Sequence, residues 1–335
     1  MSSLTIMDIA REAGVSKATV SRVMNHTGSV SEKTRERVLS VIRDRQFTPS
    51  PTARNLSTGV SSAIGFVVPE IDNPFFGEIL RGVMEITDEN GLMLIFYSTD
   101  DDAEKDRKAL TLLEDNQVCG ILYTPAVDYG SPEEKKELRE ILKGINVPVV
   151  MLDRNIGLEE LDGVYFDDYH GMFDATVSLI RDGHRRIGII NATLDRVLAR
   201  QRQQGYLDAL RENGIDPDES LMYFGDFSAT RAYALGKELL DRKDRPTAVL
   251  TCNNRTTVGF LRALYERGET ASDDITVFGL DRIEVLDTIG FPLSFIERDA
   301  RQMGRKAAKL LINRMKYPER PRIEAVLDTR LVINR

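Results

Sequence analysis

From residue 60 onward the chain repeats one pattern: a short apolar run, then a segment with apolar residues at helical spacing. Residues 64–69, 92–97, 120–123 and 147–152 are apolar runs. Helical segments over 75–90, 103–116 and 132–143 lie between them. The pattern restarts after Val164, with helices over 169–181, 199–213, 230–241 and 256–267. Strands over 187–191, 222–224, 248–252 and 275–278 alternate with them. Buried strands joined by amphipathic crossovers require a parallel sheet covered on both faces. Two such series predict an α/β body, 61–335, of two doubly wound parallel-sheet subdomains. The tail, with a strand over 293–296, a helix over 301–315 and a strand over 325–332, is expected to cross back between them. The expected division is 61–163 with 293–324 for the N-terminal subdomain, and 164–292 with 325–335 for the C-terminal one. Open parallel sheets bind ligands beyond the carboxyl ends of their strands, which places a cleft between the two sheets.

The first 47 residues read differently. Thr5 is a helix cap with Asp8 three residues on. Ile6, Ile9, Ala10 and Ala13 then fall on one face, Gly14 ends the helix, and Val15 is placed to plug a small core. Ser16 caps a second helix with Val20, Val23 and Met24 inward and Lys17, Ala18, Ser21 and Arg22 outward. A third helix runs from Ser31 to about residue 46, with Val38, Leu39, Val41 and Ile42 inward. Three helices with a tight turn between the first two form either a helix-turn-helix or a small bundle with a solvated basic face. Charge bears on that choice. Residues 1–59 hold nine Lys or Arg and five Asp or Glu, against 45 and 53 in the whole chain of net charge −8. A basic head on an acidic body is the asymmetry expected if only the head meets phosphate. Lys17 and Arg22 can donate to guanine or phosphate, and Ala18 can touch a thymine methyl.

Residues 5–25, TIMDIAREAGVSKATVSRVMN, followed by VSEKTRERV at 30–38, resemble the lactose/galactose repressor family of bacterial transcription regulators. The resemblance implies a homodimer on a near-palindromic DNA operator. It implies that Lys17 and Ala18 choose the sequence and that Thr5, Ser16, Thr19, Ser21 and Asn25 position the backbone. Residues 48–60 form the linker. Within it, Ser50 as cap, Pro51 at the first helical position and Gly59 beyond the end predict a two-turn helix too short to stand alone. In the family this hinge helix folds in the minor groove as a pair. Ala53, Arg54 and Leu56 are then DNA contacts, with Leu56 a wedge between base pairs.

The body resembles the same family nearly to its end, with the fold of periplasmic sugar-binding proteins used as a sensor. Matching segments imply an effector site built from Asp72, Asn73, Phe75 and Phe76 in the first loop, and from Arg154 and Asp167 after two further strands. Arg200 and Arg202, Phe227, Asn253 with Asn254, and Asp281 complete it. Two segments depart from the family pattern: Asn253-Asn254 stands where Asn-Asp is usual, and Pro292-Leu-Ser-Phe-Ile where Pro-x-Leu-Thr-Thr-Ile is usual. Both weaken transfer of any named sugar. Arg154, Arg200, Arg202, Arg255 and Arg282 around the expected cleft suit either an anionic effector, such as a sugar phosphate or sugar acid, or internal pairing with Asp153, Asp167, Asp195 and Asp281.

Two cysteines, Cys119 and Cys252, sit in apolar runs and read as reduced buried thiols. The three histidines are scattered, and no metal cluster, cofactor motif or catalytic motif is present in the sequence. Asp100-Asp-Asp102 reads as a helix cap. No basic and apolar leader precedes Thr5, and no run reaches the ~20 apolar residues of a membrane span, so a cytoplasmic protein is expected. The reading is a non-enzymatic, effector-controlled repressor. Its alternatives are a catabolite-control-type regulator governed by a partner protein and a solute-binding protein with a helical extension.

Overall fold

A computed structural model describes residues 4–24, 27–47, 62–271 and 274–334. The chain divides into two compact units, Met1–Ser61 and Ser62–Arg335. In the first, α1 (Ile6–Glu12) opens on a reciprocal cap: Thr5 Oγ1 accepts from the Asp8 amide, and the Asp8 carboxylate accepts from the Thr5 amide. Gly14 at φ 63° makes the turn. Helix α2 (Lys17–Met24) follows, with Ser16 Oγ accepting from the Thr19 amide at 3.1 Å. Helix α3 (Glu32–Asp44) crosses both. Ile9, Ala10, Ala13, Val20, Val23 and Val38 form the core. Arg45 ties the end of α3 back to Glu12 at 2.9 Å.

The second unit contains two six-stranded sheets. The first has the order β11-β5-β4-β3-β1-β2, built from β1 (Ala63–Val68), β2 (Met93–Ser98), β3 (Gly120–Tyr123), β4 (Val149–Leu152), β5 (Asp162–Phe166) and β11 (Glu324–Leu327), and is parallel throughout. The second has the order β12-β10-β9-β8-β6-β7, from β6 (Ile187–Ala192), β7 (Met222–Gly225), β8 (Ala248–Thr251), β9 (Thr276–Leu280), β10 (Ser294–Glu297) and β12 (Arg330–Val332). Only β12 runs antiparallel there. The crossovers are α4 (Pro74–Glu89), α5 (Ala103–Asp115), α6 (Pro132–Gly144), α7 (Asp168–Arg181), α8 (Val197–Glu212), α9 (Ala229–Leu240), α10 (Asn254–Glu266), the short α11 (Glu284–Thr288) and α12 (Ala300–Lys316).

The subdomain boundaries differ from the expected ones. The run at 162–166 belongs to the first sheet, where β5 pairs with β4 and β11. The strand at 294–297 belongs to the second sheet, beside β9. The expected single strand over 325–332 is two strands, one in each sheet. Spacing alone does not reveal this, because apolar strands of equal length fit either sheet equally well. Three short connections therefore cross between subdomains: β5 to α7, β10 to α12, and β11 to β12. Asp168 opens the first of these helices and Arg298 lies in the second connection.

Helix α12 returns to the first sheet and packs on α4 through paired glycines. A Cβ on Gly82 would lie 2.0 Å from the Arg301 carbonyl, and one on Gly304 would lie 2.1 Å from the Ile79 carbonyl. No side chain fits at either position, so the backbones approach closely. Ile79, Val83, Met303, Ala307 and Leu311 fill the rest of that layer, all fully buried. Each large one contributes about 1.5–3 kcal/mol by leaving water.

Candidate functional site

On the head, the residues predicted to face DNA stand clear of the core. Ser16, Lys17, Ala18 and Arg22 are exposed, as is Thr5, while Thr19 and Ser21 are half-buried. Ser16 and Thr19 also share a hydroxyl bond of 2.9 Å, which fixes the start of α2. Asn25, Ala53, Arg54, Leu56 and the expected hinge helix lie outside the described residues.

In the larger unit, the carboxyl ends of the two sheets converge on a buried polar cluster. Its centre is Arg298. Nε and Nη2 donate to the two oxygens of Asp281 at 2.8 and 2.7 Å, and Nη1 donates to Asp153 at 3.2 Å. Nη1 also lies 3.7 Å from Asp168. The guanidinium covers the Phe75 ring at 4.1 Å and the Phe166 ring at 5.4 Å. Arg202, 2 % exposed, donates from Nε to Asp168 at 2.9 Å and from Nη1 to the Cys252 carbonyl at 2.6 Å, and stands 5.5 Å over Phe227. Burial works against the Arg298 charge, but the carboxylates of Asp281, Asp168 and Asp153 outweigh it and hold its pKa above the usual value. Burial likewise pushes Asp153 above the usual carboxylate range, with Arg298 opposing. Burial raises the Cys252 thiol to about 12, so it is unreactive.

The cluster sets three carboxylates against two guanidiniums. It is also short of donors: Asp168 Oδ2 and Asn254 Oδ1 are buried without a hydrogen-bond partner. Phe75, Asn254, Asp281 and Arg298 also form the inner wall of an open groove of about 910 Å³, whose outer walls are Glu78 and Arg81 of α4 and the segment from Arg282 to Val285; Asp153, Asp168 and Arg202 do not line it.

Two sets of contacts bridge the lips of the cleft. On one, Asn254 Nδ2 donates to Asn73 Oδ1 at 2.9 Å, and Arg255 reaches Glu70 at 2.6 Å and Asp72 at 2.8 Å. On the other, the Val197 amide donates to Asp128 Oδ2, and Arg196 reaches the Ala126 carbonyl at 3.5 Å.

Most of the residues named from sequence gather here, in altered roles. Asn73 caps α4 through the Phe75 amide, and Asn253 caps α10 while holding the Phe227 carbonyl. Phe76 is buried beside Phe75 with ring centroids 5.3 Å apart. Arg154 binds Asp101 at 2.8 Å and the carbonyls of Pro125 and Ala126. Asp167 is turned away: it caps α7 through the His170 amide and pairs with the His170 ring at 2.7 Å. Its neighbour Asp168 takes the buried position instead. Arg200 is exposed and braces the carbonyls of Leu194 and Asp195. Arg282 pairs with Asp287 at 2.5 Å. All five arginines considered for an anion are thus engaged within the protein, though largely with partners other than the four aspartates expected. Asp102 caps α5, as its position before a charged helix indicated. Sequence reading missed Arg298, Asp168 and Asp153 as a set. The available signal was three acids and an arginine at strand ends or crossovers.

No helix among the described residues is long and apolar enough to cross a membrane. Among them no group of His, Cys, Asp and Glu is arranged to hold a metal ion.

Both parts of the chain match known families. Residues 5–50 match the model of bacterial regulatory proteins of the lacI family, and residues 61–330 match that of periplasmic binding proteins and the sugar-binding domain of the LacI family. The chain is 32% identical over 332 residues to the HTH-type transcriptional repressor PurR of Mannheimia succiniciproducens, covering 99% of this chain and 98% of that one. It is 31% identical to the HTH-type transcriptional regulator DegA of Bacillus subtilis, covering 98% and 96%. Among solved structures, the Lac repressor dimer bound to operator and an anti-inducer superposes with a TM-score of 0.88 at 26% identity, over 99% of this chain and 98% of that one. The regulator CelR in complex with cellobiose superposes at 0.73 with 29% identity, covering 99% of each. The chain therefore belongs to the LacI family of bacterial transcriptional regulators, with a helix-turn-helix DNA-binding head and an effector-binding domain.

Proposed function

We propose that this chain acts as a homodimeric repressor on a near-palindromic operator, and that a neutral, sugar-like molecule in the cleft between the two sheets sets its grip on DNA. The observation that carries the effector reading is the buried cluster around Arg298, to which both subdomains contribute. A carboxylate excess and two orphan acceptors favour a ligand rich in hydroxyl donors over a phosphate or sugar acid. The arginines that suggested an anion are engaged with carboxylates or carbonyls of the protein. On DNA, Lys17 and Ala18 choose bases, and Thr5, Ser16, Thr19, Ser21 and Arg22 hold the backbone. Asn25 joins the residues that position the backbone, and the hinge residues Ala53, Arg54 and Leu56 extend the contact into the minor groove. The solved relatives support the scheme, since they include an operator-bound dimer and a cellobiose complex. Dimer contacts are assigned to α4 and the segment after Asp281, where Val285 and Ile289 are exposed. The work of the protein lies in the cytoplasm, with the DNA.

Calorimetry of the purified protein against neutral mono- and disaccharides, their phosphates and their acids tests the effector class. Binding of a neutral sugar is expected. Binding of phosphates or acids alone would overturn the neutral reading. Control by a partner protein is separated by the same material: operator release that needs a protein fraction and no small molecule would replace the proposal.

A further inference from the structure

Helix α8 starts without a cap of its own. Arg196 occupies its N-cap position and makes no capping bond through its side chain. The first free amide, that of Val197, donates instead to Asp128 Oδ2, which belongs to the other subdomain and lies in the loop after β3. That loop is firmly held. Asp106, wholly buried in α5, accepts from the Tyr123 hydroxyl at 2.5 Å, the Ala126 amide at 3.1 Å and the Tyr129 hydroxyl at 2.7 Å. Arg154 grips the carbonyls of Pro125 and Ala126 at 3.0 and 2.5 Å. Arg196 adds a reach across the gap to Asp101 at 3.9 Å.

We propose that Asp128 is the closure latch of the cleft: an N-cap that one subdomain lends to a helix of the other. A carboxylate at a helix N-terminus satisfies an orphan N–H and meets the positive end of the macrodipole. Opening the cleft uncaps α8, and closing recaps it. Arg202 projects from the same helix into the buried cluster, so the latch and the polar centre move on one rigid element. Asp128 is thus a positioning residue that biases the protein toward its closed form. This rests on reading the cleft as the effector site, and its test needs no effector.

Hydrogen exchange on the full-length protein, without sugar, compares wild type with Asp128→Ala and Asp128→Asn. Asparagine caps nearly as well as aspartate, whereas alanine does not. Exchange in the first turn of α8, residues 197–199, is expected to quicken about fivefold in Asp128→Ala and less than twofold in Asp128→Asn. Small-angle scattering of the same samples is expected to show a larger radius of gyration for Asp128→Ala only. Unchanged exchange in Asp128→Ala would overturn the latch. Faster exchange with unchanged scattering would also overturn it, because the cap would then be local and closure independent of it. Failure of every sugar to bind would count against the effector reading alone.

Discussion

Replacing Arg298 with methionine tests the energetics of the cleft directly. The side chain keeps an unbranched stem and loses the guanidinium with its charge, leaving Asp281, Asp153 and Asp168 to share Arg202. Arg298 makes two bonds to Asp281 and one to Asp153, and these three residues and Asp168 are all less than a tenth exposed. Removing one member of a buried pair costs about 3–5 kcal/mol, because the partner stays buried and unpaired. With an m-value of about 3 kcal/mol per molar urea for a unit of this size, the midpoint should fall by about 1–2 M. Burial already raises the Asp153 pKa with Arg298 opposing, so losing Arg298 raises it further above the unfolded value of about 3.9. An acid raised in this way destabilises progressively as pH climbs above its unfolded value, until it passes the folded one. The deficit of Arg298→Met should therefore be larger at pH 7.5 than at pH 5. The double variant with Asp281→Asn should lose less than the sum of the two single losses. Urea unfolding followed by circular dichroism at both pH values measures all three. A midpoint within about 0.3 M of wild type at pH 7.5, with no pH dependence, would refute the reasoning.

Gly304→Ala should cost about 1–3 kcal/mol in the same unfolding assay, because its methyl meets the Ile79 carbonyl at 2.1 Å and α12 must move off α4. Asp106 is raised by burial against the hydrogen bonds of Tyr123 and Tyr129, so this group's own contribution to stability declines as pH rises from about 4. Asp106→Asn should remove that contribution, so urea midpoints of the variant rise relative to wild type between pH 4.5 and 7.5. Lys17→Ala should relax base preference at one operator position, about 1–3 kcal/mol of discrimination, as read by binding to a library of single-base operator variants. Leu56→Ala should weaken operator binding while sparing nonspecific binding in a gel shift.

The sheets were legible because parallel strands buried on both faces leave dense apolar runs, and amphipathic crossovers mark themselves between them. The allocation of the last three strands was not. Phe295 and Ala325 sit in equally apolar contexts, and which sheet each joins depends on where α12 packs, a tertiary matter settled by the glycine contact with α4. The head was readable because its caps are local: Thr5 with Asp8, and Ser16 with Thr19. In the cleft, strand-end positions were found but not their partners. Asp167 and Asp168 are adjacent, and only the entry angle of α7 decides which one caps and which one turns inward. Arg298 lies 145 residues from Asp153 along the chain, and no local signal links them.

Cleft occupancy is expected to control DNA affinity. The direct measurement is fluorescence anisotropy of the full-length protein on an operator selected from random DNA, with and without a sugar shown by calorimetry to bind. A coupling of about 1–3 kcal/mol is expected, a shift in operator Kd of about 5- to 150-fold that disappears when Arg202 is replaced by methionine. An operator Kd that stays the same when the cleft is saturated would contradict the account.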